Sequence, residues 1–277
     1  MPDFLDKLAQ DAKQTVESGY YEDTPQVQTV DISLKTAILK SAQAPVITEI
    51  KSASPSRGPI RTNLDVGEIA KAMARGGAVG ISVLTEPKNF QGAVRSLVET
   101  RQVVHLPLLM KDIVISTKQL EAAAKTGANM VLLIQALFDR GYYKNSVEMA
   151  ITEAHSMGLE VLLEIHNMKE FRYAICTNAD LIGINNRDLG TLKVDLNTTK
   201  SILEQGVPNG KVVVSESGIN SAADIRFLYE CGANGFLVGS AVMLAKDVEA
   251  KVRELVSAPL TVKAKNKIIT NVKSREK

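Results

Sequence analysis

Seven charged or amide side chains interrupt apolar runs of this sequence in a way that suits acid–base chemistry. Glu49 and Lys51 close one run, Lys111 another, Glu164 a third, Asn185 with Arg187 a fourth, and Glu216 a fifth. In an extended segment, residues two apart share a face, so Glu49 points with Lys51 and Asn185 with Arg187. Gathered at one place, three carboxylates, two lysines and an arginine would shift one another's proton affinities, turning a lysine into an acid and a carboxylate into a base near neutral pH. Each alone reads equally well as half of a capping salt bridge, but the whole set exceeds what capping needs. A second signal lies further on. "SESGI" (Ser215 to Ile219) and "VGSAVM" (Val238 to Met243) set the small residues Ser217, Gly218, Gly239 and Ser240 just after apolar runs and just before helical stretches. Backbone N–H groups in such turns suit a phosphate.

The elements that must position these groups are strand-length apolar runs starting near Val46, Val79, Leu106, Met130, Glu160, Asp180, Lys211 and Gly235, spaced by 20 to 33 residues. They are near-continuous rather than alternating ("VGISVL", "MVLLI", "GFLVG"), as parallel strands covered by helices must be. Amphipathic stretches separate them: Val66, Ile69, Ala70 and Met73, like Val147, Ala150, Ile151 and Ala154, fall at i, i+3, i+4 and i+7. Gly-Ala precedes three strands, at Gly77, Gly127 and Gly232, which are 50 and 105 residues apart, about two and four units of 26. Eight βα units predict an α/β fold, a single (β/α)8 TIM barrel over residues 45 to 256, with an N-terminal helical extension over 1 to 44 packed on it and a basic tail over 257 to 277. A doubly wound sheet would need fewer strands and usually a glycine-rich first turn, and "EIKSASPSRG" is not one. Charged residues at barrel strand ends fall where barrels build active sites.

Composition agrees. The 277 residues are 45% apolar and 23% charged, with only 4% aromatics and no Trp, which excludes a disordered chain and a nucleic-acid module built on aromatic stacking. The overall charge is +2, yet the tail holds six Lys/Arg against Glu276, so the rest of the chain is net acidic. Such a tail reads as a solvated terminus, not a nucleic-acid site. No run is long enough for a membrane helix, the N-terminus lacks a signal-peptide pattern, and Cys176 and Cys231 are too few for a disulfide framework. A cytoplasmic protein with no membrane or nucleic-acid partner is expected. His105, His155 and His166 lie far apart, with no i, i+4 pair to hold a metal.

The segments "VITEIKSASPSRG", "ISVLTEPKNFQGAVRSL", "PLLMKDIVIS", "GANMVLLI", "LEVLLEIHN", "LIGINNRDL", "VVVSESGI" and "GFLVGSAVM" resemble, in order, the strand-end motifs of indole-3-glycerol-phosphate synthase. The resemblance runs from about residue 30 to about 255. It implies a barrel that converts 1-(2-carboxyphenylamino)-1-deoxyribulose 5-phosphate, a sugar-phosphate substrate, into indole-3-glycerol phosphate, CO2 and water in tryptophan biosynthesis, a carboxy-lyase with no cofactor and no metal. It assigns Lys111 as general acid of ring closure and Glu164 as general base of dehydration. Lys51 would bind the substrate carboxylate, with the acid role in dehydration also open to it, and Arg187 would hold the carboxylate. Glu49, Asn185 and Glu216 would orient lysines and hydroxyls. Ser54, Ser217, Gly218, Gly239 and Ser240 fall on phosphate-binding positions. The working expectation is a monomer, with other tryptophan-pathway enzymes open as partners.

Physics supports these roles. Cations must clamp a phosphate and a carboxylate so that a flexible chain folds for closure, and a lysine whose proton affinity is lowered by neighbouring cations and partial burial would be the fitting donor. One departure stands out: the family commonly has Lys-Asp-Phe on strand three, and here the segment is Lys111-Asp112-Ile113. The missing ring should cost about 1 kcal/mol of apolar contact, with Phe90, Leu84 and Leu133 left to wall the substrate. Two rival readings are another sugar-phosphate barrel, which would need a catalytic Cys or Asp, and a barrel that binds a phosphorylated ligand without catalysis.

Overall fold

The computed structural model describes residues 3–54, 58–60, 65–205 and 210–260. The basic tail beyond residue 260, the segment 55–57 and the Ser54 side chain lie outside the described residues. Eight parallel strands close into a barrel: β1 (Val46–Ile50), β2 (Gly80–Leu84), β3 (Leu108–Lys111), β4 (Met130–Ile134), β5 (Glu160–Ile165), β6 (Leu181–Asn185), β7 (Val212–Glu216) and β8 (Gly235–Val238). Each strand pairs with its neighbours in sequence, and β8 returns to β1. This is the (β/α)8 architecture.

Alternation along each strand sorts its side chains into two apolar layers. Ile47, Leu109, Leu132, Leu162, Val214 and Leu237 fill the interior. Val131, Leu133, Val161, Leu163, Ile182 and Val213 pack outward against the helices. The helical stripes read from the sequence are the buried faces of Val66–Arg75 and Val147–Ser156. Ser33, Asp65, Ser116, Ser146, Asn167, Ser221 and Asp247 cap helices by accepting backbone N–H bonds, each worth about 1 kcal/mol. Gly77, Gly127 and Gly232 take φ of +96°, +85° and +110° where a helix ends and the chain turns into a strand, which only glycine does without strain.

The segment before β1 reaches both ends of the barrel. Helix α1 (Phe4–Glu17) places Phe4, Leu5 and Leu8 at the C-terminal mouth. Helix α2 (Leu34–Lys40) sits at the opposite end, with Leu34 and Ile38 packed where Gly80 and Gly235 open β2 and β8. The Glu160 carboxylate accepts from Ser33 Oγ (2.5 Å) and Leu34 N (2.8 Å), fixing the start of α2. Among the described residues no helix is long and apolar enough to cross a membrane.

Candidate active site

A cavity of about 400 Å3 opens at the C-terminal ends of the strands. Glu49, Lys51, Lys111, Glu164, Asn185, Arg187 and Glu216 all line it, because strand parity turns each of them inward. Its floor is an ion triad. Lys111 Nζ lies 3.3 Å from Glu164 Oε2 and 3.3 Å from Glu216 Oε2, and both carboxylates are buried. Lys51 Nζ pairs with Glu49 Oε1 at 2.9 Å. Asn185 Oδ1 accepts from Arg187 N (3.0 Å), and Arg187 Nη1 donates to Leu192 O (3.0 Å).

Burial and charge compete in this triad. Burial disfavours the Lys111 ammonium, but the charges of Glu216, Glu164 and Glu49 outweigh it and hold its pKa above that of a free lysine. The sequence-based expectation of a lowered lysine pKa is therefore corrected: the groups facing Lys111 are anionic, not cationic. Burial raises Glu164 as well, yet Lys111 and His166 overcome it and leave Glu164 ionised, well below the usual carboxylate range. Glu216 goes the other way: burial, reinforced by the charge of Glu164, pushes it up to about 7 against the pull of Lys111. One ammonium cannot fully compensate two buried carboxylates, so the second tends to hold a proton. Space for that carboxylate depends on Gly183, since a Cβ there would fall 2.1 Å from Glu216 Oε1.

At the other end, Ser217, Gly218, Gly239 and Ser240 line the same cavity. Ser217 and Gly218 both take positive φ, +67° and +87°, bending the chain sharply after β7. Gly239 lies beside the Glu49–Lys51 pair, so the Lys51 ammonium stands next to the turn after β8. The apolar wall is made by Phe4, Leu5, Leu8, Leu84, Phe90, Ile113, Leu132 and Ile134. Leu133, expected in that wall, instead packs outward against the helices; parity brings in its neighbours Leu132 and Ile134.

Three supports were not singled out from sequence. Glu86 is buried and accepts from Asn89 N (2.7 Å), Phe90 N (2.9 Å) and Lys88 N (3.0 Å), folding the loop that carries Phe90. In "TEPKNF" it reads as an ordinary loop charge. Asn186 donates to Ser215 Oγ, Glu216 O and Ser217 O, and accepts from Thr199, lashing the ends of β6 and β7 together. The doubled asparagine of "GINNRD" is its one sequence signal. Asp112, raised to about 6 mainly by burial, accepts from Tyr21 Oη (2.9 Å), Thr85 Oγ1 (2.5 Å) and Ile113 N (2.7 Å), tying the N-terminal segment to the residue next to Lys111.

The arrangement offers a charged ammonium flanked by two carboxylates, a second cation, small-residue turns and an apolar wall. It suits an elongated, anionic, partly aromatic substrate. The sequence model of the family described as indole-3-glycerol phosphate synthase matches residues 5–255. The chain is 42% identical over 215 residues to indole-3-glycerol phosphate synthase 2 of Ralstonia nicotianae, covering 78% of each chain. It is 40% identical over 229 residues to the indole-3-glycerol phosphate synthase of Methanocaldococcus jannaschii, covering 81% of this chain and 83% of that one. Among solved structures it is similar to an N-acetylmannosamine-6-phosphate 2-epimerase from Clostridium perfringens, with a TM-score of 0.58 at 16% identity over 89% of this chain and 99% of the other, a likeness of fold alone.

Proposed function

This chain belongs to the indole-3-glycerol phosphate synthase family, and from that premise we propose how its barrel mouth performs the family's carboxy-lyase reaction, the closure of 1-(2-carboxyphenylamino)-1-deoxyribulose 5-phosphate to indole-3-glycerol phosphate, CO2 and water. The observation that carries the assignment of roles is the placement of Lys111 Nζ at 3.3 Å from each of two buried carboxylates on the cavity floor.

The substrate lies with its phosphate at the turns after β7 and β8, against Ser217, Gly218, Gly239 and Ser240, where Lys51 adds positive charge. Its anthranilate carboxylate is held by Arg187, and the ring lies on Leu84, Phe90, Leu132 and Ile134. Folding the ribulose chain between these two anchors brings ring carbon and carbonyl together, an effect of proximity. Lys111 donates to the carbonyl oxygen as it becomes an alkoxide. A raised lysine pKa does not prevent this, because the alkoxide is the stronger base at the moment of transfer and the ammonium stabilises it beforehand. Attack makes the ring cationic, and loss of CO2 returns the electrons to it. Glu164, kept ionised, takes the C–H proton in the dehydration that follows, while Lys51 protonates the departing hydroxyl. Glu49 aligns Lys51, and Glu216 and Asn185 align Lys111, Glu164 and the substrate hydroxyls.

The test is turnover of the purified protein with this substrate, followed by indole fluorescence in buffer without added cofactor. A saturable rise in signal is expected. A folded protein that binds the substrate without forming indole would contradict the reading and favour a binding barrel.

A further inference from the structure

The reaction proposed above carries a proton deficit. Lys111 gives one proton to the carbonyl oxygen, and a second leaves with the hydroxyl as water. The carboxylate departs as CO2, leaving its bonding electrons in the ring, and only one proton comes back, from the C–H bond broken to form the indole double bond. Each turnover therefore takes one proton from solvent. That proton must reach a site whose acid and bases are buried before the next turnover.

His166 offers a way in from the side. It follows Glu164 by two residues at the end of β5, and its Nε2 lies 3.3 Å from Glu164 Oε1, at ion-pair distance but off the hydrogen-bonding direction. The other oxygen of the same carboxylate, Oε2, faces Lys111 Nζ at 3.3 Å. Glu164 thus stands between the imidazole and the ammonium, with one oxygen toward each. On its far side His166 is held by Glu170, whose Oε2 accepts from His166 N at 2.8 Å and lies 3.4 Å from Nδ1. There the ring lines a second cavity of about 130 Å3, shared with Asn185, Asp188, Lys193, Asp195 and Thr198. Asp188, Lys193 and Asp195 are exposed, so this cavity meets solvent beside the substrate chamber, from which Asn185 and Arg187, lining both, divide it.

We propose that His166 is a proton relay: between turnovers Glu164 gives the C–H proton it has taken to one of the two discharged lysines, and His166 passes a proton from water in the second cavity through Glu164 to recharge the other. The groups facing it are Glu164 and Glu170, with Asp188 close enough to feel its charge. Burial weakens the imidazolium, but the two glutamates outweigh that and raise its pKa to about 9, so the relay is loaded at neutral pH.

This inference rests on the functional reading above, and rapid mixing of substrate excess with His166→Gln separates the two. Gln keeps the size and a donor but cannot shuttle a proton. The first equivalent of indole per site, formed with protons already in place, should appear within about twofold of the wild-type rate, and later turnovers should slow about tenfold. In His166→Ala, added imidazole should restore the steady-state rate about fivefold or more through the space opened beside the second cavity. A first turnover slowed as far as the later ones would make His166 only a shaper of Glu164 and overturn the relay, as would an unchanged steady state or no imidazole rescue. A wild-type protein that forms no indole would overturn the functional reading itself.

Discussion

At the N-terminal end of the barrel the buried guanidinium of Arg101 donates to Leu106 O (2.7 Å), Gly127 O (3.1 Å), Val104 O (3.3 Å) and Asn129 Oδ1 (3.1 Å). At the C-terminal end Lys111 lies 3.3 Å from the carboxylates of Glu164 and Glu216, and among the described residues Glu216 Oε1 has no hydrogen-bond partner. The first cation is spent on backbone carbonyls that would otherwise be buried unsatisfied, and burial alone lowers its pKa, to about 10. The second is surrounded by charge, which raises its pKa. The Arg101 guanidinium at the base staples loops together. The triad at the mouth is under-satisfied and holds protons in competition, as a site awaiting an anionic substrate should.

Substitutions at the two ends should separate accordingly. Lys111→Ala should lower kcat by about a thousandfold or more, read by indole fluorescence. Arg101→Ala should cost about 3 kcal/mol of stability, because it leaves several buried acceptors unpaired, while kcat of the folded fraction stays near wild type; urea melts and turnover on one preparation check both. Glu216→Gln should change the pH profile of stability. In the folded protein Glu216 keeps its proton up to about pH 7, whereas unfolded it releases it near 4.5. It therefore favours the folded state at low pH, and that contribution is lost as pH rises from about 4.5 through 7. The variant should flatten this decline by about 1–3 kcal/mol, measured as urea midpoints from pH 5 to 8. It should leave the later fall, from about 6.5 through 9, in which His166 loses its proton. Ile113→Phe should have the smallest effect, lowering KM a few-fold through about 1 kcal/mol of added ring contact at a position on the cavity wall.

Much of this contrast was legible in the sequence. Gly-Ala ahead of strands marked the βα repeat, and charges ending apolar runs marked the mouth, because parity and chain direction are local properties. What escaped depends on contacts across the fold. Leu133 and Leu132 differ only in register, and "MVLLI" is apolar on both faces. Tyr21 reaches Asp112 across 91 residues, a distance no motif spans. The direction of the Lys111 shift needed to be seen in three dimensions, since residues far apart in the chain set which charges face it. Arg101 sits in a helix whose pattern gives no sign that its guanidinium turns in to the barrel base.

Whether the mouth charges serve chemistry and the base charges hold the fold is decided by the kcat of the folded fraction of Lys111→Ala beside that of Arg101→Ala at pH 6. Both variants should lose stability, since each leaves buried carboxylates or carbonyls unpaired, but Lys111→Ala should lose about a thousandfold in kcat while Arg101→Ala stays near wild type. A Lys111→Ala protein that turns over near the wild-type rate would show that the triad is a structural staple.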